Sequence, residues 1–206
     1  AGALGDAAIQ LVLQSMAFES KAVDRFTVVQ TQYLGQVMAV QIMPLNGLID
    51  INAAQVPLLT RLLTVAGGVP DAAAESIAQS IVEYRQQRTP QGALKRFEVI
   101  EDLMRLPGVG YDLYARLSAL ITADIRGSGL VNPLAAPPGV LAVLAGGNAQ
   151  LAGQLAAQRD AGQVGFDMTG LDGSLIGAST VRRYRLQARC PLPGRPACPA
   201  LRNVLP

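Results

Sequence analysis

Gly47-Leu48-Ile49-Asp50-Ile51-Asn52-Ala53-Ala54 and, after a helix, Phe97-Glu98-Val99-Ile100-Glu101-Asp102-Leu103-Met104-Arg105-Leu106-Pro107-Gly108-Val109-Gly110 are the stretches that decide how this chain is read. The second predicts a helix, a tight Pro-Gly-x-Gly turn and another helix, because glycine tolerates the positive φ that joins two packed helices closely. Such a helix-hairpin-helix binds DNA in some proteins and serves assembly in others. The residues around it must separate the two uses.

Between 95 and 116 the basic residues Lys95, Arg96, Arg105 and Arg116 are matched by Glu98, Glu101, Asp102 and Asp112. Duplex affinity rests largely on phosphate neutralisation and helix N-terminal amides. Here Tyr111 and Asp112 follow the turn, so carboxylates stand where a phosphate would approach, and no nucleic-acid partner is expected. The whole chain, at 206 residues, carries a formal charge of only +2, which argues for none either. Histidine is absent, which removes the commonest general base and transition-metal ligand. Glu101 and Asp102 are expected to lie on a helix surface rather than in a catalytic pair. The sequence offers no catalytic constellation, and the expectation is a protein that is not an enzyme.

Outward from the two stretches the pattern changes character twice. Over 4–18 the positions Leu4, Ala7, Ala8, Leu11, Val12, Ser15 and Phe18 share helical spacing, and Ile9, Leu13 and Met16 widen the stripe. A helix apolar nearly all round needs cover on more than one side. It is either an ordinary core helix or a stem that packs on its own domain and on helices of other subunits. β-Branched residues at 27–33 and 36–42, broken at Gly35, predict two antiparallel strands. From Asn52 helical patterns run for about a hundred residues: a short helix at 56–65 stopped by Gly67-Gly68, a longer one with Pro70 in its first turn, the hairpin, a brief helix at 139–144, and one capped by Asn148. Strand character returns at 164–168 and 181–189, the latter with Arg183, Arg185, Gln187 and Arg189 on one face, either a solvated edge or a salt-dependent contact for an acidic partner. Strands before and after the helices need partners, so the fold class is α+β, an antiparallel sheet interrupted by a helical insertion. The expected parts are 1–46 with the stem helix and first strands, 47–162 with the helical insertion, and 163–206 with the returning strands.

Half the residues are hydrophobic, yet no window offers the roughly 18 consecutive apolar residues of a membrane span, and no signal-peptide pattern opens the chain. The start inside a helical pattern suits a soluble chain from which an N-terminal anchor has been trimmed. Cys190 and Cys198 bracket a Pro/Gly loop, which reads as a disulfide clamp on a terminal hairpin made in an oxidising compartment such as a periplasm, or else as two free thiols in a tail. Asp160, Asp167 and Asp172 lie in Gly-rich sequence whose loops could fold around a hard cation such as calcium or simply form turns. Their spacing matches no EF-hand loop, so no metal site is assigned.

The order of motifs resembles the K-type minor pseudopilins of type II secretion systems, the GspK family. The matching marks are 47–54, Ile81-Val82-Glu83-Tyr84-Arg85, 97–110, Gly129-Leu130-Val131-Asn132-Pro133 with Ala136-Pro137 leading into Val140-Leu141, and Tyr184-Arg185-Leu186-Gln187-Ala188. The succession Asn-Ala, Tyr-Arg, Pro-Gly-x-Gly is also similar to competence-type helix-hairpin-helix DNA receptors, which makes a periplasmic DNA-uptake protein the alternative. The flanking strands and helical N-terminus favour the first family. That resemblance implies a pilin-like fold of N-terminal helix and sheet with a large helical domain inserted. It implies a place at the tip of the periplasmic pseudopilus, with the I- and J-type minor pseudopilins as partners and an inner-membrane anchor preceding residue 1. Leu4, Ala8, Leu11, Val12, Ser15 and Phe18 would then belong to the stem face that meets the partners' helices, and the helical insert would block addition of a further subunit. Calcium is bound by some pseudopilins, but no ligand pattern carries over to these aspartates.

Overall fold

The computed structural model describes residues 2–19, 23–124, 127–162, 167–178, 183–189 and 199–204, and the side chains of 2–3, 17–19 and 199–204 fall outside that description. In chain order the elements are α1 (Gly2–Glu19), β1 (Thr27–Tyr33), β2 (Gln36–Pro44), a 3₁₀ turn (Leu45–Gly47), β3 (Ile49–Asp50), α2 (Val56–Val65) and α3 (Asp71–Gln86). A 3₁₀ helix (Ile100–Arg105), α4 (Tyr111–Leu117), β4 (Ile121–Thr122), α5 (Pro138–Leu144), α6 (Ala149–Asp160), β5 (Tyr184–Arg189) and β6 (Pro199–Val204) complete them. They form two units, Ala1–Leu45 with Thr180–Pro206, and Asn46–Ser179.

The first unit is a four-stranded antiparallel sheet in the order β1-β2-β5-β6, with α1 across one face. Leu34 and Gly35 both take positive φ, 50° and 75°, the geometry that a two-residue hairpin turn needs to match strand twist. Alternation along β2 sends Met38, Val40 and Ile42 inward, where Val40 faces Ala188 and Ile42 faces Leu186 on β5. α1 lays Ala8, Ile9 and Val12 on this surface, with Leu4, Leu13 and Met16 at its margin. The Tyr184 hydroxyl accepts a hydrogen bond from the Val23 N–H at 3.3 Å. Sheet order makes β2 and β5 neighbours although the whole helical unit separates them in sequence. Where the chain departs and returns, the Leu45 N–H donates to the Arg183 carbonyl at 2.8 Å.

The helical unit is built on α2 and α3, which bury Leu58, Leu59, Leu62 and Leu63 on one and Ala74, Ile77, Ala78 and Ile81 on the other. Gly68 ends the first of these at a φ of 63°, and Pro70 stands just before α3 rather than inside it. Asn148 caps α6 as its position predicts, its Oδ1 accepting from the Leu151 N–H at 3.0 Å. β3 and β4 form a two-residue parallel pair, Ile49 opposite Ile121 and Asp50 opposite Thr122.

Several expectations meet a different structure. The second unit runs to Ser179, past the expected boundary at 162, because Val131 and the 175–177 segment exchange hydrogen bonds: Val131 N–H to Leu175 C=O at 3.0 Å and Gly177 N–H to Val131 C=O at 2.9 Å. Of the strand expected at 164–168, positions 164–166 lie outside the described residues, and Asp167 and Met168 are not in a strand. β6 pairs antiparallel with β5, as a terminal hairpin around the cysteine-bracketed loop requires, although the sequence sets no bounds for it. On the arginine face of β5, Arg189 is exposed but Arg185 is 1% exposed, so a uniformly solvated edge is the wrong description.

Candidate functional site

The quoted stretches converge inside the helical unit on the loop 46–54. Asp50 C=O accepts from the N–H groups of Ala53 and Ala54, which folds the loop tightly. The Asn52 amide then reads the backbone of Phe97 in both directions: Nδ2 donates to its carbonyl and Oδ1 accepts from its N–H, both at 2.9 Å. Phe97 is fully buried and stacked on Tyr84 with ring centroids 4.6 Å apart. From α3 the Arg85 guanidinium donates to the carbonyls of Ile51 at 3.1 Å and Ala54 at 3.0 Å. These groups would otherwise be unpaired at the end of a tight loop, where each costs about 1–3 kcal/mol. A Cβ on Gly47 would run into the Ala135 backbone, and one on Gly129 into the Ala53 carbonyl. Asn132 N–H closes the assembly by donating to Asn46 C=O at 2.8 Å.

Asp50 is the one strongly perturbed acid in this network. Its Oδ1 accepts from the N–H of Asn52 at 2.9 Å and of Asp124 at 3.2 Å, while Oδ2 is buried against Gly127 without a hydrogen-bond partner among the described residues. Burial pushes its carboxyl from 3.8 up to about 7, aided by the neighbouring Asp124 charge and opposed by the two N–H groups and Arg85. Burial also lowers Arg85, against the pull of Asp50. A cleft of about 420 Å³ lies beside them, lined by Asn52, Arg85, Lys95, Arg96 and Asp124 among others. The arrangement holds a loop in place; among the described residues that line the cleft there is no nucleophile with an adjacent base.

The segment that the sequence reads as a helix-hairpin-helix is tied together by its acids. Asp102 Oδ2 accepts from the N–H groups of Glu98 at 2.9 Å and Val99 at 3.3 Å, and its Oδ1 pairs with Arg105 at 3.1 Å. Drawn back in this way, the arm before the turn is a 3₁₀ helix of six residues. Gly108 turns the chain at a φ of 84°, Val109 is buried, and the Tyr114 hydroxyl donates to Glu101 Oε1 at 2.9 Å across the two arms.

Of the stem residues, Ala8 and Val12 are buried in their own unit's core, Leu4 sits at its margin, and Leu11 and Ser15 are exposed. Ser15 Oγ donates to Val12 C=O at 2.8 Å. The side chain of Phe18 is outside the described residues, as are Cys190 and Cys198; the β5–β6 ladder ends with Arg189 opposite Pro199, the positions that flank the two cysteines. Asp160 pairs with Arg159 at 2.7 Å. Asp167 and Asp172 each fold a local turn, accepting from the N–H and hydroxyl of Thr169 and of Ser174, bonds that hold both carboxyls below the usual range. Among the described residues no three His, Cys, Asp or Glu side chains gather where they could hold a metal. Asp50, Asn52, Arg85 and Phe97 all stand in the stretches quoted from the sequence, but neither their mutual contacts nor the burial of Asp50 shows there. The available signal was a polar Asp-x-Asn set between Leu48, Ile49 and Ile51.

No family model matches the sequence, and no curated protein matches it. Among solved structures, a chain from the crystal structure of the GspK-GspI-GspJ complex of the enterotoxigenic Escherichia coli type 2 secretion system matches with a TM-score of 0.58. The likeness is one of fold. At 16% sequence identity it covers 95% of this chain and 88% of that one. It therefore takes in the sheet unit and the helical unit together, and the chain is an α+β protein of pseudopilin-like fold.

Proposed function

We propose that this chain is a K-type minor pseudopilin, a non-enzymatic subunit that caps the tip of a type II secretion pseudopilus together with I- and J-type partners and helps initiate its assembly for export of folded proteins. The observation that carries the reading is a fold likeness that spans both units, where a DNA-binding hairpin alone would account for only a small part of the chain. In this reading the insertion, its helix-hairpin-helix included, is the bulk that prevents a further subunit from adding above. The chain works on the periplasmic side of the inner membrane, held there by an apolar helix preceding residue 1.

The exposed side of α1 supplies the partner surface, and the structure refines how to test it. Leu11 is 36% exposed whereas Val12 is 2% exposed. Leu11→Asp is expected to abolish a 1:1:1 complex with soluble I- and J-type pseudopilins, measured by size-exclusion chromatography with light scattering, while leaving the melting temperature almost unchanged. Val12→Asp, which buries a charge, is expected to unfold the sheet unit instead. Proteins that elute separately at micromolar concentrations in the unsubstituted case would remove the assembly reading.

The compartment has its own check. β5 and β6 run antiparallel, and their described ladder ends with Arg189 opposite Pro199, each one residue from a cysteine in the sequence. Non-reducing mass spectrometry of periplasmically produced protein is expected to find Cys190 linked to Cys198. Two free thiols in folded material would remove the periplasmic argument.

A further inference from the structure

The segment 94–99, whose Leu94, Lys95 and Arg96 also line the cleft beside the loop 46–54, carries exposed side chains in addition to the buried Phe97. It borders a second cleft, of about 670 Å³, lined by the stacked Tyr84 and Phe97 rings. Leu94 and Val99 stand 55% and 51% exposed on this segment, with Lys95 and Arg96 beside them. Lys95 Nζ lies 5.2 Å over the Tyr84 ring and donates to Gln87 Oε1. Arg96 is exposed and makes no hydrogen bond or ion pair among the described residues. The carboxylate of Asp102 is already taken by two backbone N–H groups and Arg105, which leaves Glu98 as the one exposed acid of the lining.

Two adjacent cations and two exposed aliphatic side chains fit one kind of ligand. We propose that this cleft docks an extended acidic segment of a partner protein, its carboxylates on Lys95 and Arg96 and its aliphatic side chains against Leu94 and Val99. Apolar contact supplies holding strength and the cations supply orientation and rate of encounter. Duplex DNA fits less well, because two adjacent cations neutralise few phosphates and Leu94 and Val99 would find no apolar partner on its backbone. The surface is on the helical unit, whereas the assembly contacts proposed above are on α1, so the two readings fail separately.

The test is fluorescence anisotropy with three labelled probes: a Glu-Leu-Glu-Leu-Glu peptide, its Lys-Leu counterpart, and a short DNA duplex. The acidic peptide is expected to bind saturably and at least about tenfold tighter than the basic one, with affinity falling as salt is raised. Arg96→Glu is expected to weaken it about tenfold or more, Arg96→Gln less, and Leu94→Ser measurably, with melting temperatures unchanged because these side chains are exposed. Equal binding of the two peptides, no saturable binding, or an affinity indifferent to Arg96→Glu would overturn the proposal. Duplex binding tighter than the acidic peptide and lost in Arg96→Glu would overturn it in favour of a nucleic-acid surface. Complex formation with I- and J-type pseudopilins by the Arg96→Glu protein is expected to be unaffected, which keeps the two questions apart.

Discussion

Asp50→Asn is expected to stabilise the protein above neutral pH by several kcal/mol and to change its stability little in acid. The folded chain holds a proton on Asp50 up to about pH 7, while the ordinary value for the unfolded chain is 3.8. Stability is therefore fully present below the lower value and is lost as pH rises through the upper one, since the unfolded state ionises first. A gap of about three units corresponds to roughly 4 kcal/mol. Asparagine keeps the oxygen that accepts from the N–H groups of Asn52 and Asp124 and cannot ionise. Urea unfolding of both proteins at about pH 4, 6 and 8 measures the difference. Parallel pH profiles for the two would show that the proton does not reside on Asp50.

Phe97→Ala is expected to cost about 3–5 kcal/mol, the largest loss from a single truncation in the helical unit. The ring is fully buried and stacked on Tyr84, and the backbone of the same residue is clamped by Asn52. Asn52→Ala removes two hydrogen bonds at once and is expected to cost about 2 kcal/mol. Because both changes loosen one contact, their sum should exceed the loss in the double variant, and the chemical-denaturation midpoints of the four proteins decide this. Strict additivity would mean that the amide clamp and the ring stack act independently.

The elements that could be read from the sequence are those whose causes are local. The periodic stripe of α1, the two runs of β-branched residues around Gly35, the stop at Gly67-Gly68 and the cap at Asn148 each carry their own signal within a few residues. β6 does not: Pro199-Ala-Leu-Arg-Asn-Val204 has weak strand propensity, and it is β5 that recruits it. The β3–β4 pair is two residues long and links positions 49 and 121, so no window contains it. The hairpin arm at 100–105 shows helical spacing, yet Asp102 reaches back to the backbone of 98 and 99 and tightens it to a 3₁₀ helix. Arg185 shows a further limit, since alternation assigns a side chain to a face but says nothing about what covers that face. For the candidate site the residue types were visible and their partners were not, because Asn52 and Phe97, or Arg85 and Ile51, meet only after α2 and α3 have packed.

The pairing of β2 with β5, extended by the hydrogen bond from Leu45 to Arg183, also imposes a timetable on synthesis. A disordered chain must lose entropy to bring such distant positions together, and that loss grows with the length between them. A helical unit that has already folded keeps its own two ends near each other and removes most of it. On the ribosome the β1–β2 hairpin therefore emerges first and waits with one edge of β2 uncovered until the whole helical unit and then β5 have been made. Whatever slows the middle of the chain lengthens that wait. The damage would then surface in the nascent protein as strand-mediated aggregation, far from the residue that was changed.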